Sequence, residues 1–229
     1  MNRIEANAAE VKARITAAAK RAGRSAEDIT LIGVTKTIAP PEIAQLMAAG
    51  VSTLGENRVQ ELLQKMEEPS LADAKWHLIG HLQTNKVKYI IDKVDLIHSV
   101  DSVRLAEEID RRAGAANRKM PVLVEINIGN EPSKHGICPQ DAEKFVGEIC
   151  KYRNILVCGL MCVAPFVAKA AENRALFEKM RKIFIDIRHK NHDNVYMDIL
   201  SMGMTNDYEI AVEEGSTMVR VGTGLFGGR

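Results

Sequence analysis

The sequence predicts an α/β protein built as a single (β/α)8 TIM barrel with an extra N-terminal helix. Three observations predict it. Short apolar runs bounded by breakers alternate with segments of helical periodicity, and strict alternation argues for a parallel sheet. About eight such pairs fit within the 229 residues, a length that suits a barrel of this kind. No linker, charge block or low-complexity stretch divides the chain, and no sequence repeat stands out, so residues 1–229 read as one domain. A doubly wound open sheet is the alternative.

The elements follow in order. Met1 to Arg21 is charged and alanine-rich, with Ile4, Val11 and Ile15 among its larger apolar residues, and reads as an amphipathic helix. It lacks the central apolar block and cleavage-like site of a secretory signal. Strand one, Ile29 to Lys36, is an apolar run that ends in a lysine. Pro40 and Pro41 stop it, and Pro41 can open the next helix because its missing N–H is not needed in a first turn. That helix runs to Ala49 and is ended by Gly50. Val51 to Asn57 is strand two with its exit loop, and Arg58 to Glu68 is a helix with Val59, Leu62, Leu63 and Met66 at helical spacing. Trp76 to His81 is strand three, followed by a helix near Asn85 to Asp92. Asp95 to Val100 is strand four, after which Asp101 or Ser102 caps a helix through Ala116. Pro121 to Ile128 is strand five, and Pro139 begins a helix to about Tyr152. Ile155 to Val163 is strand six, Ala168 to His189 a long charged helix, Asn194 to Met202 strand seven. Asp207 to Glu214 is a short helix, Met218 to Gly222 strand eight, and Thr223 to Arg229 the tail.

Composition is ordinary for a globular protein, with 46% hydrophobic and 27% charged residues. A net charge of +1 implies no general pull toward nucleic acid or an acidic membrane, and no apolar run is long enough to span a bilayer. Cys138, Cys150, Cys158 and Cys162 lack the paired spacing of a zinc or redox site. They read as structural thiols in a reduced cytoplasm, with Cys158 and Cys162 on one face of strand six.

In a barrel, ligands bind at the C-terminal lip of the strands. The polar residues expected there are Lys36, Asn57, His81, Ser99 with Asp101, Asn127, Ser201 and Arg220. A lone strand-end lysine is usually a solvated one. A lysine and an arginine converging with amides and hydroxyls suit an anionic, carbonyl-bearing ligand, and a partly desolvated Lys36 can attack a carbonyl as an amine. The last two βα loops, Ser201 to Asp207 and Gly222-Thr223-Gly224, are rich in Gly, Ser and Thr, and their backbone N–H groups can approach a phosphate. Gly222 to Gly227 also matches a dinucleotide fingerprint, but only Gly228 and Arg229 follow it, so the required helix and second strand are missing. His77, His81 and His98 have no helical metal-ligand spacing and read as core or rim residues.

Five stretches carry a family resemblance: the lysine ending strand one, Gly55 to Glu61, Trp76 to Lys86, Ser201 to Met204 and Arg220 to Gly227. From Ile29 onward the chain resembles the pyridoxal phosphate homeostasis protein family. Thr205 stands where many relatives have serine, which keeps the hydroxyl. The resemblance implies a barrel similar to the N-terminal domain of alanine racemases, holding pyridoxal 5′-phosphate (PLP) as a Schiff base on Lys36. It implies that Ser201, Gly222 and Thr223 hold the phosphate with backbone help near Met202 and Gly203. It places Arg220 at the pyridine nitrogen and Asn57 near the ring. It implies a PLP-binding protein in intracellular homeostasis of the cofactor, without an established reaction and with PLP-dependent apo-enzymes as candidate recipients. An amino-acid racemase-like enzyme is the alternative. Against it, the racemases' second domain and catalytic tyrosine have no counterpart before Arg229, and only Tyr208 is expected near the mouth. For the same reason a monomer is expected. A cofactor-free barrel enzyme acting on a phosphorylated sugar or aldehyde, with Lys36 as Schiff-base nucleophile, is a third reading.

Overall fold

The computed structural model describes residues 2–228, and in it eight parallel strands close into a barrel in sequence order. They are β1 (Thr30–Val34), β2 (Thr53–Glu56), β3 (Lys75–Leu78), β4 (Leu96–Val100), β5 (Met120–Ile126), β6 (Ile155–Cys162), β7 (Val195–Met204) and β8 (Met218–Val221). The ring closes where Thr30 to Gly33 of β1 pair with Met218 to Val221 of β8. Around it lie α1 (Arg3–Arg21), α2 (Pro40–Ala48), α3 (Val59–Met66), α4 (Val103–Ala115), α5 (Ala142–Ile149), α6 (Arg174–Arg188), α7 (Tyr208–Glu213) and α8 (Thr223–Phe226). Met1 and Arg229, which the sequence reading placed in the first helix and the tail, lie outside the described residues. Among the described residues no helix is long and apolar enough to cross a membrane.

The extra helix α1 starts with a reciprocal cap. The Asn2 side chain accepts from the Glu5 amide, and Glu5 accepts from the Asn2 amide. It buries Ile4, Ala8, Val11 and Ile15, a stripe at three- and four-residue spacing, against α2, α7 and α8. Burying such side chains stabilises by about 1.5–3 kcal/mol for each large aliphatic residue, whereas the exposed Arg14–Glu209 and Arg21–Glu213 ion pairs to α7 add little.

Four expectations need correction. The connection between β3 and β4 is a 3-10 helix, Thr84–Tyr89, not an α-helix. The segments before α5 and α6 likewise begin as 3-10 turns, at Pro139–Asp141 and Ala170–Asn173. The tail, to which the sequence reading assigns no element, coils into α8 directly after β8. Finally, Cys158 and Cys162 do not share a face. The β6 register shifts around Gly159, and Gly159 stands at φ 155 with the Ile199 carbonyl 1.7 Å from where a Cβ would be. This bulge reverses the alternation. Cys158 packs with Ile32, Leu96, Leu123, Met161 and Met218 inside the barrel, while Cys162 joins the layer between barrel and helices.

Candidate functional site

Above the apolar plug of Ile32, Leu96, Leu123, Met161 and Met218, the C-terminal mouth opens into a cavity of about 420 Å³. That volume falls in the range of small-ligand pockets. Lys36, Asn57, Arg220, Gly222 and Thr223 all line it, although they come from three separate regions of the sequence. Val163 and Pro165 to Val167 form its apolar wall, and Phe166 on that wall is 86% exposed.

Lys36 is exposed, not partly desolvated as expected. The reason is local: β1 stops at Val34, so Lys36 stands on the turn that follows the strand and not in the barrel wall. Thr37, the next residue, has φ 62, an outlier for a β-branched side chain. Its amide is held by Glu61 Oε1 at 2.5 Å.

The two phosphate-like loops are tied together. Thr205 Oγ1 accepts from the amides of Gly222 (3.3 Å) and Gly224 (3.4 Å). The first loop is shaped by Asp207, whose Oδ1 accepts from the Met204 amide at 2.7 Å and whose Oδ2 accepts from Asn173 Nδ2 at 2.8 Å. Ser201, Met202 and Gly203 are not among the cavity-lining residues. Met202 is buried in the layer behind the strand, and Gly203 (φ 91) sits against α7, where a Cβ would meet Ala211 at 2.5 Å. Tyr208, expected near the mouth, is buried between α7 and α1 with Arg14 over its ring.

Ser201 lies on the floor, fully buried, in a polar chain. Arg220 Nη1 donates to Ser201 Oγ at 2.6 Å, and Arg220 Nη2 donates to the Cys162 carbonyl at 2.7 Å. His98 Nδ1 is 3.2 Å from Ser201 Oγ, and His98 Nε2 is 3.1 Å from His77 Nδ1. If the serine hydroxyl donates to His98, then His98 donates to His77, and both rings remain neutral with all three contacts made. Burial pulls His98 well below the usual histidine range, with His77 and Arg220 adding to it, and pulls His77 to about 4. The folded value of His77 is below its unfolded value. Unfolded chains therefore bind an extra proton as pH falls through about 6.5, and stability is lost between pH 6.5 and 4. His77→Gln is expected to spare the barrel about 2 kcal/mol of the loss between pH 7 and pH 5. Urea unfolding of both chains at the two pH values measures it. Equal losses would mean that His77 titrates normally.

Glu125 is the remaining inward polar group. Its Oε2 is buried without a hydrogen-bond partner, and burial, helped by Asp101 and opposed by Arg220, pushes it up to about 7.

The profile of the alanine racemase N-terminal domain family matches residues 4–229. A pyridoxal phosphate homeostasis protein of Aquifex aeolicus is 43% identical over 216 residues, covering 94% of each chain. That of Escherichia coli K12 is 36% identical over 232 residues, covering 100% of this chain and 98% of its own. The chain belongs to the pyridoxal phosphate homeostasis protein family. A solved structure from Bifidobacterium adolescentis, described as an unknown protein, superposes with TM-score 0.92 at 38% identity over 97% of this chain and 94% of the other. PipY of Synechococcus elongatus with PLP bound superposes with TM-score 0.79 at 37% identity over 87% and 93%.

One feature of this family member escapes sequence reading. Lys65 on α3 is only 6% exposed, and its Nζ donates to Glu56 Oε1 (2.5 Å), Thr35 O (2.6 Å) and Glu61 Oε1 (2.8 Å). Thr35 Oγ1 donates to the same Glu56 oxygen at 2.6 Å, and the Asn57 amide donates to Glu56 Oε2 at 3.2 Å. The clamp therefore grips the residue before Lys36, the residue after it, and Asn57. Burial raises the Glu56 carboxyl above its usual range, opposed by Lys65 and Thr35. The available signal was a glutamate inside an apolar strand, which demands a partner.

Proposed function

We propose that this protein binds PLP in the mouth cavity and serves the intracellular homeostasis of that cofactor, with Lys36 as the covalent anchor. The observation that carries the reading is convergence. Lys36, Arg220, Asn57 and two backbone-rich loops face one cavity of about 420 Å³. The donor set fits PLP: an amine for an aldehyde, amides and hydroxyls for a phosphate, and a guanidinium for a ring nitrogen. When bound, PLP supplies an aldehyde that amines attack and an electron-withdrawing ring.

The roles fall to the chain's residues as follows. Lys36 Nζ would hold the aldehyde carbon, the aldehyde oxygen leaving as water, and Asn57 would lie near the ring. Gly222 and Thr223, at the first turn of α8, hold the phosphate together with the Met204 to Asp207 loop, which Thr205 locks to Gly222 and Gly224. Ser201 acts through Arg220, by holding its guanidinium, while Met202 and Gly203 seat the strand that carries the loop. Arg220 is buried and permanently charged, which opposes protonation of a basic nitrogen beside it and so weakens the ring as an electron sink. Tyr208 is turned away from the cavity, and among the described residues no tyrosine lines it to exchange protons opposite Lys36 as two-base racemisation requires. Holding the cofactor for PLP-dependent apo-enzymes, as a cytoplasmic monomer, is the fuller form of the proposal. Its four cysteines, none in a disulfide, suit a reducing compartment.

The test is an absorption spectrum of the purified protein, as isolated and after added PLP, before and after borohydride, followed by peptide mapping. A visible band lost on reduction, with the label on Lys36, is expected. A chain that stays colourless and takes up no label overturns the proposal.

A further inference from the structure

Across the mouth from the phosphate-like loops, His81, Asp101 and His135 come together from the loops after β3, β4 and β5. Their ligand atoms all lie within 4.8 Å of one another. None of the three lines the PLP cavity. We propose that they form a binding site for a divalent transition cation of the zinc, cobalt or nickel class.

The distances carry the proposal. His81 Nδ1 is 3.5 Å and His135 Nδ1 is 3.9 Å from the same oxygen, Asp101 Oδ2. Hydrogen bonds between such atoms fall near 2.7–3.2 Å, so both contacts are too long to be hydrogen bonds. A tetrahedral cation with ligand bonds of about 2.0–2.2 Å separates its ligand atoms by about 3.3–3.6 Å. The His81–Asp101 spacing is that of a ligand edge, and the His135–Asp101 spacing exceeds one by a few tenths of an ångström. The two imidazole rings are also stacked, with centroids 3.7 Å apart and planes 11° from parallel. Each imidazole lone pair lies in its own ring plane, so one cation binds both nitrogens only once the ring of the more exposed His135 rotates out of the stack.

The backbone beneath is ordered in advance. Asp101 precedes Ser102, the N-cap of α4. The loop carrying His135 is folded by Asn127, whose side chain donates to the Glu131 and Lys134 carbonyls and accepts from the Glu131 amide. The Asp101 side chain is 13% exposed, whereas His81 and His135 are 38% and 58% exposed, so water can complete the coordination shell. Two imidazole nitrogens and one carboxylate select borderline transition ions over magnesium or calcium, which take oxygen ligands. Sequence spacing hid the group because its members are separated by 20 and 34 positions and meet only when the barrel closes.

The test uses the untagged full chain and Co²⁺ alone, followed by visible absorption, with Zn²⁺ titration by calorimetry, both with and without added PLP. One-to-one uptake with cobalt d–d bands is expected in both conditions, independent of whether the PLP reading holds. His135→Ala and Asp101→Asn are each expected to weaken binding roughly tenfold or more, with circular dichroism confirming that the variants are folded. Absence of saturable uptake by the parent chain overturns the proposal. So does uptake that survives both substitutions but is lost in Cys138→Ser, which assigns the cation to the exposed thiol.

Discussion

Lys36→Ala is expected to abolish borohydride-stable labelling by PLP while leaving the barrel folded. Lys36 is exposed on a turn outside β1, so truncating it removes little buried surface. The folded baseline should stay within about 0.5 kcal/mol of the parent. The ligand effect should not. A ligand at a hundred times its dissociation constant stabilises the chain it binds by about 2.7 kcal/mol, which for a domain of this size raises the thermal midpoint by roughly 5–10 °C. Lys36→Ala is expected to lose most of that shift at the same PLP concentration, keeping only the part owed to Arg220 and the phosphate-like loops. Lys36→Arg separates charge from covalency: it keeps a cation at the mouth but supplies no amine, so it too should take no label. Labelling of Lys36→Ala at the parent's level would move the anchor to another lysine.

The barrel itself was legible because its signal is local. Each strand is a run of apolar residues cut off by Gly, Pro or a charge, and eight such runs in alternation leave few architectures. Boundaries failed where geometry overrode local pattern. A period of two puts Cys158 and Cys162 on one face, but a bulge at Gly159 inserts an extra residue and reverses the parity, and no periodicity announces it. Lys36 reads in the sequence as the last residue of strand one, but the strand stops two residues earlier and leaves it exposed on the turn. Ser201 was read as a loop hydroxyl. Its register with Met161 and Met218 instead turns it into the barrel, under Arg220. His77, His98, Ser201 and Arg220 form the polar floor from four strands, and their meeting is a fact of barrel closure that no window of sequence contains. Lys65 was the hardest to see. On an amphipathic helix a lysine reads as solvent-facing, and only the strand opposite, with Glu56 inside it, shows otherwise.

That clamp supports the second large effect. Lys65→Met is expected to cost the fold about 3 kcal/mol, at the low end of what breaking a buried ion pair costs, and to lower the thermal midpoint by roughly 6–12 °C. Methionine fills a similar volume but leaves the Thr35 carbonyl and the Glu56 carboxyl without their ammonium. The cost stays at the low end because burial already raises the Glu56 carboxyl above its usual range, so it can take up a proton once Lys65 is gone. That escape sets the sign of the pH dependence. A carboxyl whose folded value is raised favours folding below its unfolded range, near pH 4.5, and loses that advantage as pH rises through the folded value. The deficit of Lys65→Met against the parent should therefore be larger at pH 8 than at pH 5. Adding Glu56→Gln to the same chain removes the ionisable group and should flatten that difference. The turn from Thr35 to Thr37 loses one of its ties to the barrel wall in the process, so covalent uptake of PLP at Lys36 should slow in Lys65→Met even below the midpoint, although Lys65 lines no part of the cavity. Thermal unfolding at the two pH values, with the rate of label incorporation at 25 °C, decides between this account and a solvated Lys65. An unchanged midpoint would mean that water replaces the ammonium and that the clamp does not hold the turn.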